Sequence, residues 1–223
     1  MIHDVRHWDT YHKKIYDESE RHSRYAEEKE KLFPPGGVVI DLGGGTGADA
    51  LYFLQKGHSV VLFDISEYAL EVARQKATKH DLNSKLVTRQ VDFGLHQFPL
   101  KDNSVDVAYS RLSLHYFPKD QTVKIFMDIF RVLKPGAKAY LTFKSPEDKD
   151  EMEFLENTSS VYEPGVFISN GQLQSRFTKE DLGELLTMAG IINFQVNPTT
   201  EDVNLPGQHL KPIFLNEVLF TKA

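Results

Sequence analysis

The apolar positions of this chain fall into short, β-branched runs separated by stretches with helical periodicity. Val38-Val39-Ile40-Asp41-Leu42, Val60–Phe63, Leu86–Val91, Val105–Tyr109 and Ala139–Phe143 are too short for stable helices, and the first is a short β-branched run. Runs of that kind suit strands buried on both sides, as in a parallel sheet. Between them lie Ala48–Leu54, ended by Gly57, a helix led by Ser66 with Ala69, Leu70, Val72 and Ala73 on one face, and a helix from about Val123 to Leu133 stopped by Lys134-Pro135-Gly136. Strand and helix in alternation predict an α/β, doubly wound sheet with helices on both faces. Thr178 caps a further helix with Asp181 at the reciprocal position, and Gly190 closes it. Ile192–Val196 and Phe214–Phe220 read as two last strands. No crossover helix is evident between them, so they are expected to pair antiparallel.

Two segments break this rhythm. Residues 1–33 are polar helix formers with Trp8, Tyr11, Ile15 and Tyr16 at about helical spacing, and Pro34-Pro35-Gly36-Gly37 ends them. They read as an N-terminal helical segment, either a lid over a ligand or simple packing on the sheet edge. Residues 145–177 hold Ser, Pro, Glu, Asn and Gly with isolated aromatics such as Phe154, Tyr162 and Phe167. They read as an irregular insert on the substrate side. With no repeat and no second core, residues 1–223 are expected to form one domain.

Charge narrows the function classes. The formal net charge is −6, and the bases form no long block, which disfavours nucleic acid and an anionic membrane surface as partners. There are no cysteines, so disulfides, thiolate nucleophiles and cysteine zinc sites are excluded. The first residues carry acids and no apolar core segment, and no stretch reaches the length of a membrane span. A cytoplasmic location is the expectation.

The most informative segment is Asp41-Leu42-Gly43-Gly44-Gly45-Thr46-Gly47, between a strand and a helix. Its glycines allow a sharp turn and a close approach of ligand to backbone, and the helix behind offers free amides. Gly43, Gly45 and Ala48 also satisfy the dinucleotide fingerprint, so the loop alone leaves the ligand open. Asp64 ends the second strand, where a carboxylate can accept both hydroxyls of an adenosine ribose. Asp92 ends the third and can accept from an adenine amino group, or simply begin the Phe93-Gly94 turn. Asp41 separates the ligand classes: a carboxylate at the mouth of the crevice repels a pyrophosphate and attracts an ammonium or a sulfonium.

These residues resemble those of the class I S-adenosylmethionine-dependent methyltransferases. The resemblance rests on Val38 to Gly47, on Asp64-Ile65-Ser66, on Val91-Asp92-Phe93, on the stretch Asn103 to Phe117, and on Arg131 to Leu141. It is strong over about residues 36–145. It implies a Rossmann-like sheet of seven strands, mostly parallel with an antiparallel last strand, and S-adenosylmethionine as cofactor. By that resemblance Gly43, Gly45 and Gly47 line the methionine and ribose part, and Asp41 neutralises the ammonium. Asp64 holds the ribose, Ile65, Asp92 and Phe93 hold the adenine, and Ser110, Arg111 and Leu112 close the methionine side. Tyr11 and Tyr16 cover the cofactor if residues 1–33 form a lid. Gly44 stands where relatives often carry cysteine, a departure the turn tolerates.

Methyl transfer to an acceptor that must lose a proton needs a base. His115, after the fourth strand, is the first candidate and Tyr116 the second, although His115 equally suits an imidazole bonded within a helix-start turn. His3, His7, His12 and His22 invite a metal check, but they lack the acid-plus-histidine signature and read as solvated helix surface, so no metal is expected. The alternatives are a nicotinamide-dependent oxidoreductase using the same loop, which lacks a Tyr-Lys pair in a suitable place, and a cofactor-binding protein without turnover. After the fourth strand the chain reads Ser110-Arg111-Leu112-Ser113 rather than the Asn/Asp-Pro-Pro-aromatic motif of nucleic-acid amino methylases. A small-molecule acceptor is the expectation.

Overall fold

Side-chain alternation divides the core before any helix is placed. In β1 (Val38–Leu42) Val39 points to one face of the sheet and Ile40 and Leu42 to the other. Each joins a separate apolar cluster, so the strand is buried on both sides. The computed structural model describes residues 5–203 and 211–223. It opens with α1 (Val5–Ile15) and α2 (Arg24–Glu30), followed by β1, α3 (Ala48–Gln55), β2 (Ser59–Asp64), α4 (Glu67–Lys79), β3 (Leu86–Gln90) and β4 (Val105–Ser110). Then come α5 (Lys119–Val132), β5 (Leu133–Lys144), α6 (Lys149–Thr158), β6 (Ser160–Glu163), β7 (Val166–Ser169), β8 (Gln172–Ser175), α7 (Lys179–Met188), β9 (Phe194–Val203) and β10 (Lys211–Thr221).

The main sheet has seven strands in the order β3-β2-β1-β4-β5-β10-β9. Neighbours pair parallel from β3 to β5, and β10 runs antiparallel to both β5 and β9. The order reverses at β1, so the carboxyl ends of β1 and β4 open a crevice there, the usual ligand position in such sheets. The expected doubly wound fold with an antiparallel last strand is what forms. The helix caps follow the sequence as well. Ser66 accepts from the Ala69 amide, and Thr178 and Asp181 form a reciprocal box at the start of α7.

Four expectations are corrected. Residues 1–33 are not one helix: α1 ends at Ile15, and the stretch to Ser23 is tied down by side chains, with the Ser23 amide donating to Asp49 at 2.6 Å. β5 starts at Leu133, before the Pro135-Gly136 stop. The β4–β5 register jumps from Val105–Leu133 to Val107–Lys138, so Lys134–Ala137 bulges out while pairing resumes beyond it. The last two strands run longer than their apolar runs, and Ile192 lies outside β9 and is exposed. β9 is an edge strand, which lets Pro198 sit in its middle without costing an internal sheet bond.

The fourth correction is the insert. Residues 145–177 are not irregular: α6 is followed by a three-stranded antiparallel sheet, β6-β7-β8. Asn170-Gly171 makes the tight β7–β8 turn, with φ of 50° and 75°, the pattern of a two-residue hairpin. This small sheet packs behind the turn that follows β4. The Ser175 hydroxyl donates to the Phe117 carbonyl at 2.8 Å, and Glu163 accepts from the Lys119 amide at 2.7 Å, supplying the cap that Pro118 lacks. The insert therefore stands beside the crevice.

Candidate functional site

The glycine loop takes its shape from what surrounds it. The Gly45 amide donates to Asp64 Oδ2 at 2.8 Å, and the Ser66 amide donates to Oδ1 at 2.8 Å. One carboxylate at the end of β2 thus braces the loop after β1 and the start of α4. Gly44 is more constrained than the sequence suggested. A Cβ there would lie 2.3 Å from Leu62 Cδ1 and 2.4 Å from Asp41 Oδ2, so a cysteine would displace the acid. Gly47, with φ 76°, faces away from the crevice: its missing Cβ lets Ala73 of α4 approach, the added atom falling 2.8 Å from Ala73 Cβ. It serves helix packing rather than a ligand.

Two hollows with four lining residues in common lie along this rim. The first is bounded by Asp64, Ile65, Asp92 and Phe93 on the sheet side and by Trp8, Tyr11 and Tyr116 opposite. Asp64 and Asp92 face the same space, as the sequence required, and Asp92 also accepts from the Gly94 amide at 2.9 Å, so it begins the turn as well. The second hollow is bounded by Asp41, Gly44, Thr46, Asp49, Arg111 and Glu201, among others, and Tyr16 lies on its edge. Tyr11, His12, Gly43 and Leu112 border both.

Asp41 is fully buried, and its Oδ2 has no hydrogen-bond partner. Burial, with Asp49 and Asp64 nearby, pushes its carboxyl well above the usual carboxylate range. Burial also raises Asp64, against the pull of His12 and three backbone amides. A buried acid without a partner is costly, and a cationic group placed beside it relieves that cost. The orphaned oxygen, beside a second hollow that Gly43 and Gly45 also border, fits a ligand with an ammonium end and an adenosine end.

α1 crosses the mouth of both hollows. Asp9 Oδ1 accepts from the Ser66 hydroxyl at 2.6 Å and the Tyr68 amide at 3.2 Å, so α1 caps the N-terminus of α4. Trp8 meets the Tyr116 ring edge-on, with centroids 4.7 Å apart. His12 is not solvated helix surface: it hangs over the loop, and a Cβ on Gly45 would come within 2.9 Å of its Cε1. Nothing in the local sequence marked His12, because a polar residue on a polar helix reads as exposed. His3 lies outside the described residues. Among the described residues no group of three or more His, Cys, Asp or Glu side chains is placed to hold a metal ion.

Other expected site residues sit elsewhere. Ser110 is buried and donates its hydroxyl to the Leu42 carbonyl at 2.9 Å, so it ties β4 to β1 and lines neither hollow. Arg111 reaches the second hollow, but Glu201 of β9 grips its guanidinium on Nε and Nη2, at 3.0 and 2.6 Å. Sequence reading missed Glu201 because it lies beyond Pro198, in a polar stretch. His115 is buried behind Tyr116, its ring 4.3 Å from the tyrosine ring, and lines neither hollow. Its Nδ1 has no partner, and burial, with Arg176 and Lys144 facing it, holds the imidazole well below its ordinary range. Tyr116 does face the first hollow, and burial raises its phenol far above the usual value. A phenol so held donates a hydrogen bond and is a poor base.

Comparison with known proteins agrees with this geometry. A methyltransferase-domain family model matches residues 39–136. YqeM of Bacillus subtilis, described as a methyltransferase without a stated substrate, is 27% identical, with 94% of each chain covered. The arsenite methyltransferase of Halobacterium salinarum is 31% identical over 48% of this chain. That relative and six others are covered over only 20% to 42% of their own length. Among solved structures, a SAM-dependent methyltransferase of Methanosarcina mazei superposes with a TM-score of 0.72 at 21% identity, covering 91% of this chain and 99% of that one. The 1,6-didemethyltoxoflavin N1-methyltransferase of Burkholderia thailandensis, solved with its substrate and S-adenosylhomocysteine, gives 0.61 at 17% identity, covering 90% of this chain and 80% of that one. At those identities the structural likeness establishes the fold.

Proposed function

We propose that this chain, as a class I S-adenosylmethionine-dependent methyltransferase, methylates a small-molecule acceptor held against Trp8, Tyr11 and Tyr116. The family resemblance speaks against the oxidoreductase. Relatives act on acceptors as unlike as arsenite and a toxoflavin precursor, so the acceptor has to be argued from this chain. The observation that carries the reading is the aromatic wall that α1 closes over the first hollow. Such a wall suits a compact, largely apolar molecule better than a polymer. The acidic net charge also speaks against a nucleic acid.

In this reading Asp64 accepts from the ribose hydroxyls while keeping the loop braced through Gly45. Ile65 and Phe93 flank the adenine, and Asp92 takes its amino group. Asp41 receives the ammonium, and Gly43 and Gly45 allow close approach. Ser110 and Gly47 act indirectly, by fixing β4 to β1 and α3 to α4. The bound cofactor supplies an activated methyl on a sulfonium, so the protein's share is positioning and exclusion of water. α1 provides the exclusion, and Tyr116 provides a hydrogen-bond donor. His115 sits too deep to take a proton from an acceptor in the hollow.

The test uses cofactor labelled on the methyl group, incubated with purified protein and a cell extract, followed by ultrafiltration. Label is expected in the small-molecule filtrate. Label in the RNA or protein fraction overturns the acceptor class.

A further inference from the structure

The two hollows assign a place to the cofactor's sulfur. If the adenosine lies by Asp64 and Asp92, and the amino-acid end by Asp41, the sulfur joining them lies where the hollows meet. Tyr11, His12, Gly43 and Leu112 border both hollows. Of these, His12 is the side chain that can change charge near neutral pH. Its ring lies against Gly45, over the loop.

We propose that His12 is a specificity-determining residue beside the sulfur: as a neutral imidazole it admits the sulfonium, and as an imidazolium it repels the sulfonium while still admitting the uncharged thioether product. The inference rests on the cofactor placement above. Three carboxylates face His12: Asp9 from α1 itself, Glu20 from the α1–α2 connection and Asp64 from β2; the phenol ring of Tyr11 lies 5.6 Å from it, and Gly43 to Gly47 bring no charge. Glu20 is engaged by the Thr46 hydroxyl at 2.5 Å and by Lys76 at 3.1 Å, and Asp9 by Ser66 and Tyr68. Asp64 is engaged by the backbone amides of Gly45, Ser66 and Ile65. The acids are therefore largely committed elsewhere, and burial prevails in holding His12 below its ordinary range. At neutral pH the ring is uncharged, which suits a cation beside it. Two like charges a few ångströms apart in a partly buried site repel strongly enough to change affinity by about ten-fold or more.

Calorimetry with S-adenosylmethionine and with S-adenosylhomocysteine tests this without any acceptor. In the wild type the ratio of the two affinities is expected to shift toward the thioether between about pH 8 and about pH 5.5, by less than about ten-fold because burial holds the ring below its ordinary value. Asp41 and Asp64 also titrate, but they remain in His12→Gln, where the ratio is expected to stay flat. His12→Lys, a cation throughout, is expected to bind the thioether and to bind the sulfonium at least about ten-fold more weakly at pH 8. A wild-type ratio that moves no more than that of His12→Gln overturns the proposal, as does a His12→Lys protein that weakens both ligands equally. A wild type that binds neither ligand overturns the cofactor placement itself, a result distinct from a pH-independent ratio.

Discussion

Asp41 is buried among Gly44, Asp49 and Asp64 with one oxygen unpaired, so without ligand it weakens the fold it belongs to. Binding a cation is what repays that. Asp41→Asn is therefore expected to act in opposite directions on the two quantities. The ligand-free protein gains about 2–4 °C in Tm, the shift that roughly 1 kcal/mol gives at this size. Affinity for S-adenosylhomocysteine falls by about 30-fold or more, as when one member of a buried charge pair is removed. Scanning calorimetry and titration of the same preparation read both, and a loss of both argues for a purely structural acid. His115 makes a second residue-scale prediction, through pH. The folded protein keeps it neutral well below the ordinary imidazole value, whereas the unfolded chain protonates near pH 6.5. The unfolded state then binds more protons, so stability contributed by the neutral ring is present above that pH and is lost as pH falls. His115→Leu is expected to show a smaller drop in Tm between about pH 7 and about pH 5 than the wild type.

At the scale of elements, α1 docks through surface contacts rather than through a buried face. It joins the body through Asp9 on the N-terminus of α4, through Trp8 on Tyr116, and through Lys13 over the Tyr68 ring at 5.3 Å. No residue of α1 is fully buried. A cap of the Asp9 kind contributes about 1 kcal/mol. Asp9→Ala is expected to raise amide exchange across Val5–Ile15 while leaving β1 to β5 protected, and to weaken cofactor binding about five-fold. Unchanged exchange in α1 would show that the aromatic contacts alone hold it. The insert behaves differently: Leu155, Val166, Phe167 and Leu173 are buried, so α6 and β6-β7-β8 are part of the packed body.

For the whole molecule, the relevant quantity is the distribution of charge. The chain carries 26 basic and 32 acidic residues, and many of the bases are spent in ion pairs such as Arg111–Glu201, Arg176–Glu151 and Lys134–Asp106. The acidic excess, a formal net charge of −6, opposes the approach of phosphates. In electrophoretic shift assays at low salt the protein is expected to leave labelled RNA unbound. A salt-dependent complex would move the acceptor class toward nucleic acid.

The local pattern settled the strand order along the chain, the caps at Ser66 and Thr178, the glycine loop, and the acids that end β2 and β3. Each of these depends on spacing within a few residues, which a linear chain displays directly. The Asn170-Gly171 hairpin was also written there, though isolated aromatics around it obscured the strands. What only the tertiary structure decided are meetings between distant residues. The docking of α1 brings His12 over Gly45 and Asp9 onto α4, the length of β9 carries Glu201 to Arg111, and the turn after β4 buries His115 behind Tyr116. Register and helix docking govern these contacts, and both follow from burying the whole core at once, so no window of sequence contains them.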